Sequence, residues 1–88
     1  MASKALSTFR RKMTNPLNWR KANQVLVKYS KAELATERGA GRLIEELAEK
    51  VGVDLSAEER KEAAKWLVGQ GMDPQSKRDR MSIWKQVK

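Results

Sequence analysis

Between Phe9 and Lys31 the chain reads FRRKMTNPLNWRKANQVLVKYSK and carries no acidic residue. The first carboxylate is Glu33, so residues 1–31 hold eight Lys and Arg with no negative charge to balance them. Residues 32–73 reverse this, with six basic and ten acidic residues, and residues 74–88 return to five basic and one acidic. Dense guanidinium and ammonium groups suit one kind of chemistry above others. They neutralise phosphates and release the counterions condensed on a nucleic-acid backbone. The donors nominated by this layout are Arg10, Arg11, Lys12, Arg20, Lys21, Lys28 and Lys31 from the first segment, with Lys77, Arg78, Arg80 and Lys85 from the last. They form one surface only if the two ends fold side by side, as the termini of small domains often do. A net charge of +8 also serves solubility alone. The segregation of charge, more than its total, favours a dedicated anionic partner, because clustered like charges oppose compaction.

Other chemistries have little to work with. The chain has no His and no Cys, which removes the usual zinc and transition-metal ligands and any His-based acid–base or triad site. No metal or cofactor is expected. Glu45, Glu46 and Glu49 form a carboxylate cluster, but they flank an apolar stripe and should face water. Gly39–Gly41 lacks the strand and spacing of a nucleotide-binding loop. The expectation is therefore a protein that is not an enzyme. No apolar run resembles a signal peptide or approaches a membrane span, and the lack of Cys fits a reducing compartment. The expected location is cytoplasmic, with nucleoid association compatible.

Aromatic residues in the basic segments raise a second possibility. Trp19 precedes Arg20 and Lys21, and Trp84 precedes Lys85. Aromatics interleaved with cations stack the bases of single strands. Each also lies on the apolar stripe of its own helix, and that spacing favours core packing for both. Trp66, in the acidic middle of the chain, is expected in the core.

These residues need elements to hold them. Apolar spacing near 3.6 and the lack of β-branched runs predict an all-α fold, a bundle of about five short helices in a single domain spanning residues 1–88. The first helix runs from Ser3 to Met13 with Leu6, Phe9 and Met13 on one face, and residues 1–14 are the segment expected to be most flexible. Asn15 caps a second helix from Pro16 to about Tyr29, with Trp19, Ala22, Leu26 and Tyr29 on its stripe and Val25 beside it. SKAE at 30–33 is a capping box opening a short helix that ends near Arg38, and Gly39 and Gly41 predict a bend or break. Residues 42–68 form a central αα-hairpin: RLIEELAEKVG with Leu43, Ile44, Leu47, Ala48 and Val51 inward, Gly52 as C-cap, then a helix capped by Ser56 and Glu59. Asp73–Pro74 or Ser76 starts the last helix, where Met81, Trp84 and Val87 or Lys88 share a face with Ile83 adjacent.

The hairpin has the outline of a helix-turn-helix, with Ala48 and Gly52 at the usual separation. Its second helix opens with Glu58 and Glu59, and Glu62 follows one turn later. Carboxylates there would be repelled by phosphates where a recognition helix must meet the bases, so the hairpin reads as scaffold. The function expected is nucleic-acid binding, DNA or RNA, by a regulatory or accessory protein. The alternative is a regulator whose basic face docks on an acidic protein surface. A third reading, the first helix lying on an anionic membrane with Leu6, Phe9 and Met13 inserted, has only a short apolar face behind it. A homodimer suits any of these, since small cores gain by association.

Overall fold

The computed structural model describes residues 4–86 and folds them into six α-helices and a terminal 3₁₀ helix, with no strand among them. The helices are α1 Lys4–Lys12, α2 Pro16–Leu26, α3 Lys31–Leu34, α4 Glu37–Val51, α5 Ala57–Gln70 and α6 Lys77–Ser82, and the 3₁₀ helix is Ile83–Gln86. The fold class is all-α. Ser3, Val87 and Lys88, assigned to helices from the sequence, lie outside the described residues.

Local chemistry sets most of the boundaries. Asn15 is extended and its Oδ1 accepts from the Leu17 N–H at 2.9 Å, while Pro16 fills the first helical position, where no N–H is needed. Both capping boxes form. Ser30 and Glu33 satisfy each other's backbone N–H groups, as do Ser56 and Glu59. Gly52 adopts φ 72° and closes α4, with the Val53 N–H donating to the Ala48 carbonyl at 2.8 Å. That geometry favours glycine because a Cβ is strained at positive φ.

The break expected at Gly39 and Gly41 is absent. The chain turns earlier, at Ala35 and Thr36, and α4 runs through both glycines without interruption. Thr36 is the N-cap: its Oγ1 accepts from the Gly39 N–H at 3.1 Å and donates to the Glu33 carbonyl at 3.0 Å. A Cβ on Gly39 would lie 1.9 Å from the Glu33 carbonyl oxygen. Glycine is present there because two helical backbones meet, not because a helix ends. The central hairpin is correspondingly longer than residues 42–68, spanning α4 and α5 from Glu37 to Gln70.

One apolar cluster joins all the long helices. Leu6, Phe9 and Met13 of the first segment are buried with Ala22, Val25, Leu26 and Tyr29, the inner face of α4, and Ala63, Ala64 and Leu67 of α5. The first segment is thus part of the core. Trp66 is only half-buried and packs against the cluster's edge. At the C-terminal end the helix tightens to 3₁₀ after Ser82. Ile83 and Trp84 are buried while Met81, expected on the same face as Trp84, is 52% exposed. The radius of gyration is 11.3 Å, against about 12 Å for a compact chain of this length.

Candidate functional site

Three contacts among the described residues tie the two basic segments together. In the core, Phe9 of α1 and Trp84 of the 3₁₀ helix pack with ring centroids 5.9 Å apart and planes tilted by 34°. Farther along, Arg80 of α6 donates through Nε to Asn23 Oδ1 of α2, and through Nη1 to the Pro74 carbonyl at 2.9 Å. At the end of α2, the Gln75 side-chain amide donates to the carbonyls of Val27 and Tyr29 at 2.8 and 2.7 Å. Cations from both segments flank each tie in sequence. Arg10, Arg11, Lys12 and Lys85 flank the first; Arg20, Lys21 and Arg78 lie within a turn of the second; Lys28, Lys31 and Lys77 border the third.

Local reasons place these cations. Arg10, Arg11 and Lys12 occupy the last turn of α1, where the partial negative charge of the helix terminus favours them. Arg20 and Lys21 are exposed on α2, which buries Ala22, Val25 and Leu26. Lys77 and Arg78 open α6 beside Asp79, whose own N–H donates to the Ser76 cap. Nine of the eleven nominated residues are exposed: Arg10, Arg11, Arg20, Lys21, Lys28, Lys31, Lys77, Arg78 and Lys85. Lys12 and Arg80 are half-buried.

Arg80 and Lys28 are among those engaged within the fold. Arg80 holds Asn23 and Pro74, as above. Lys28 Nζ pairs with Glu46 Oε2 at 2.6 Å. The same carboxylate accepts from the Tyr29 hydroxyl at 2.6 Å, so the turn that follows α2 is locked to α4 through one glutamate. Hydrogen bonds from Lys28 and then Tyr29 hold the Glu46 carboxyl below its ordinary range. Burial, reinforced by the bond to Glu46, pushes the Tyr29 phenol up to about 12. Position in the sequence gave no sign that Arg80 differs from Arg78, since its partner lies 57 residues away.

The surface also carries two concave features with cations in their lining. A cleft of about 520 Å³ lies between α4 and α5, floored by Gly41, Ala57 and Ala64 and rimmed by Arg38, Arg42, Arg60 and Lys61 with Glu37 and Glu45. Arg60 Nη1 pairs with Glu45 Oε1 at 2.5 Å across it. A smaller pocket of about 290 Å³ sits at the α1–α2 corner, lined by Met13, Thr14, Pro16, Trp19, Arg20 and Asn23. Neither was nominated from the sequence. Trp19, whose spacing favours core packing over base stacking, is half-buried and lines this pocket.

Among the described residues no cluster of acidic side chains is arranged to hold a metal ion, and no helix is long and apolar enough to cross a membrane. No family model, curated protein or solved structure matches this chain.

Proposed function

We propose that this chain is a non-enzymatic nucleic-acid-binding protein that grips phosphates through cations of its N- and C-terminal segments, in a regulatory or accessory role. The observation that supports this reading is the triple tie between those segments, at Phe9–Trp84, Asn23–Arg80 and Gln75 with the end of α2. It gathers backbone carrying +8 from residues 4–31 and +3 from residues 74–86. Two central glutamates are meanwhile engaged with Lys28 and Arg60. A phosphate backbone is the partner that such a surface fits best. Arg11, Arg20, Lys21, Lys31, Lys77, Arg78 and Lys85 are the contacts in this reading. Lys28 and Arg80 build the face more than they touch the ligand.

The test is fluorescence anisotropy of a labelled duplex and a labelled single strand across a salt series. With about five phosphates engaged, log K against log salt falls with a slope of about −4.5 on duplex and about −3.5 on single strand. Lys21→Glu with Arg78→Glu weakens binding severalfold and flattens the slope while leaving helicity unchanged. No binding to either probe at low salt would overturn the proposal.

A second reading has its own observation. The α4–α5 cleft places Arg38, Arg42 and Lys61 around a floor of small residues, a shape that admits the close approach of an acidic protein segment. Failure of both nucleic-acid probes would move the assignment there.

A further inference from the structure

We propose that the pocket at the α1–α2 corner receives one unpaired nucleobase, stacked on Trp19, so that the basic face discriminates single strands from duplex. This rests on the nucleic-acid reading and deepens it. The three tryptophans are in different situations. Trp84 is buried against Phe9, and Trp66 packs on the edge of the core, whereas Trp19 lies outside the apolar cluster. Trp19 shares a stripe with the fully buried Ala22 and Leu26, yet remains half-buried. Part of its indole is therefore left as a wall of the pocket.

The remaining walls suit a heterocycle. Pro16, Trp19, Arg20 and Asn23 fall at i, i+3, i+4 and i+7 on α2, so they line one side together. Met13 and Thr14 close the other side from the end of α1. The volume of about 290 Å³ is large enough to admit one nucleobase. Arg80 has donors only, so Asn23 must turn its carbonyl oxygen toward it. The Asn23 NH₂ then points elsewhere and has no acceptor among the described residues. It is the group available to a base carbonyl, with the Arg20 guanidinium available to the adjoining phosphate. Arg80 is by this account a positioning residue. A base within a duplex is stacked and paired on both faces and edges and cannot enter; an unpaired base can.

The experiment uses the full chain and three fluorescein-labelled probes of equal length: oligothymidine, the same strand with abasic sites, and a duplex. Oligothymidine is expected to bind more tightly than the abasic strand, which has the same charge and no bases. Trp19→Ala is expected to lower oligothymidine affinity by about 5- to 150-fold while leaving the abasic strand and duplex unchanged. Oligothymidine also quenches tryptophan fluorescence in the wild type, and the quench disappears in Trp19→Phe. If Trp19→Ala weakens all three probes equally, or none, the pocket holds no base, and the phosphate reading stands. If no probe binds, both readings fall. If Trp19→Ala does not fold, the quench decides, and one that persists in Trp19→Phe overturns the proposal.

Discussion

Gly39 of α4 passes so close to Glu33 of α3 that a Cβ there would sit 1.9 Å from the Glu33 carbonyl oxygen. The two helices meet nearly backbone to backbone, and Thr36 stitches the corner through its hydroxyl. Gly41, two residues on in the same helix, has nothing within 4 Å of the position its Cβ would occupy. The two glycines should therefore respond oppositely to one change. Gly39→Ala is expected to destabilise by more than the ~1–3 kcal/mol of ordinary overpacking, because a helical carbonyl cannot rotate away. Gly41→Ala should stabilise by about 0.5–1 kcal/mol from helix propensity and reduced unfolded-state entropy. Urea unfolding of the two variants measures both, and a matching sign would contradict this account of the corner.

Phe9 and Trp84 close the fold between its extremes. Truncating Phe9, which is fully buried, to Ala should cost about 3–5 kcal/mol. A chain of this length has roughly 4–13 kcal/mol in total, so the variant is expected to be largely unfolded at the weak end of that range and to melt tens of degrees lower at the strong end. Phe9→Leu keeps much of the volume and should lose far less. Thermal melts followed by circular dichroism distinguish the outcomes, and near-equal melting of Phe9→Ala and wild type would show that the first helix is not needed by the core.

The Lys28–Glu46–Tyr29 cluster makes stability depend on pH at both extremes. Glu46 is held below its ordinary range in the folded chain. Its contribution is full above the unfolded carboxyl value and is lost as pH falls through the depressed folded value. Tyr29 is raised to about 12, so its contribution is present below the ordinary phenol value of about 10 and is lost as pH rises from there towards 12. Tyr29→Phe should flatten the alkaline loss and shrink the acid one. An unchanged alkaline limb in chemical denaturation would mean that Tyr29 does not cause it.

Ser56 and Glu59 start α5 with a reciprocal pair of hydrogen bonds at 3.1 Å each. Ser56→Ala should cost about 1 kcal/mol, a melting shift of about 4–8 °C in a domain this small. Ser56→Asp should recover most of it, because a carboxylate accepts the same N–H. Equal melting of the Ala and Asp variants would show that the cap contributes nothing.

Much of the fold was legible because its determinants are short-range. Asn15–Pro16, Ser30–Glu33 and Ser56–Glu59 announce helix starts within four residues, and each is a start in the structure. The stripes Leu6–Phe9–Met13 and Leu43–Ile44–Leu47–Val51 announce buried faces by period alone, and all seven residues are buried. What misled was context. Gly39 carries the same propensity whether a helix ends or another backbone crosses it, and only the location of Glu33 tells the two apart. Met81 and Trp84, three residues apart, share a side of either helix type by spacing, yet Met81 is exposed and Trp84 buried, which spacing alone does not explain. At the candidate site, the basic character of both ends was plain in the composition. That Arg80 and Lys28 are spoken for was not, because Asn23 and Glu46 lie 57 and 18 positions away. The corner pocket depends on how α1 meets α2, which no periodicity encodes.

The ring pair at positions 9 and 84 also sets an order of events during synthesis. While the ribosome is still making the chain, α1 has no aromatic partner, and Asn23 and the end of α2 have none of their tethers. The α4–α5 hairpin is complete before either arrives. The contacts that join the two basic segments therefore form only after α4 and α5 have been synthesised, and a nascent chain stalled before residue 75 would present the cations of residues 4–31 without those ties.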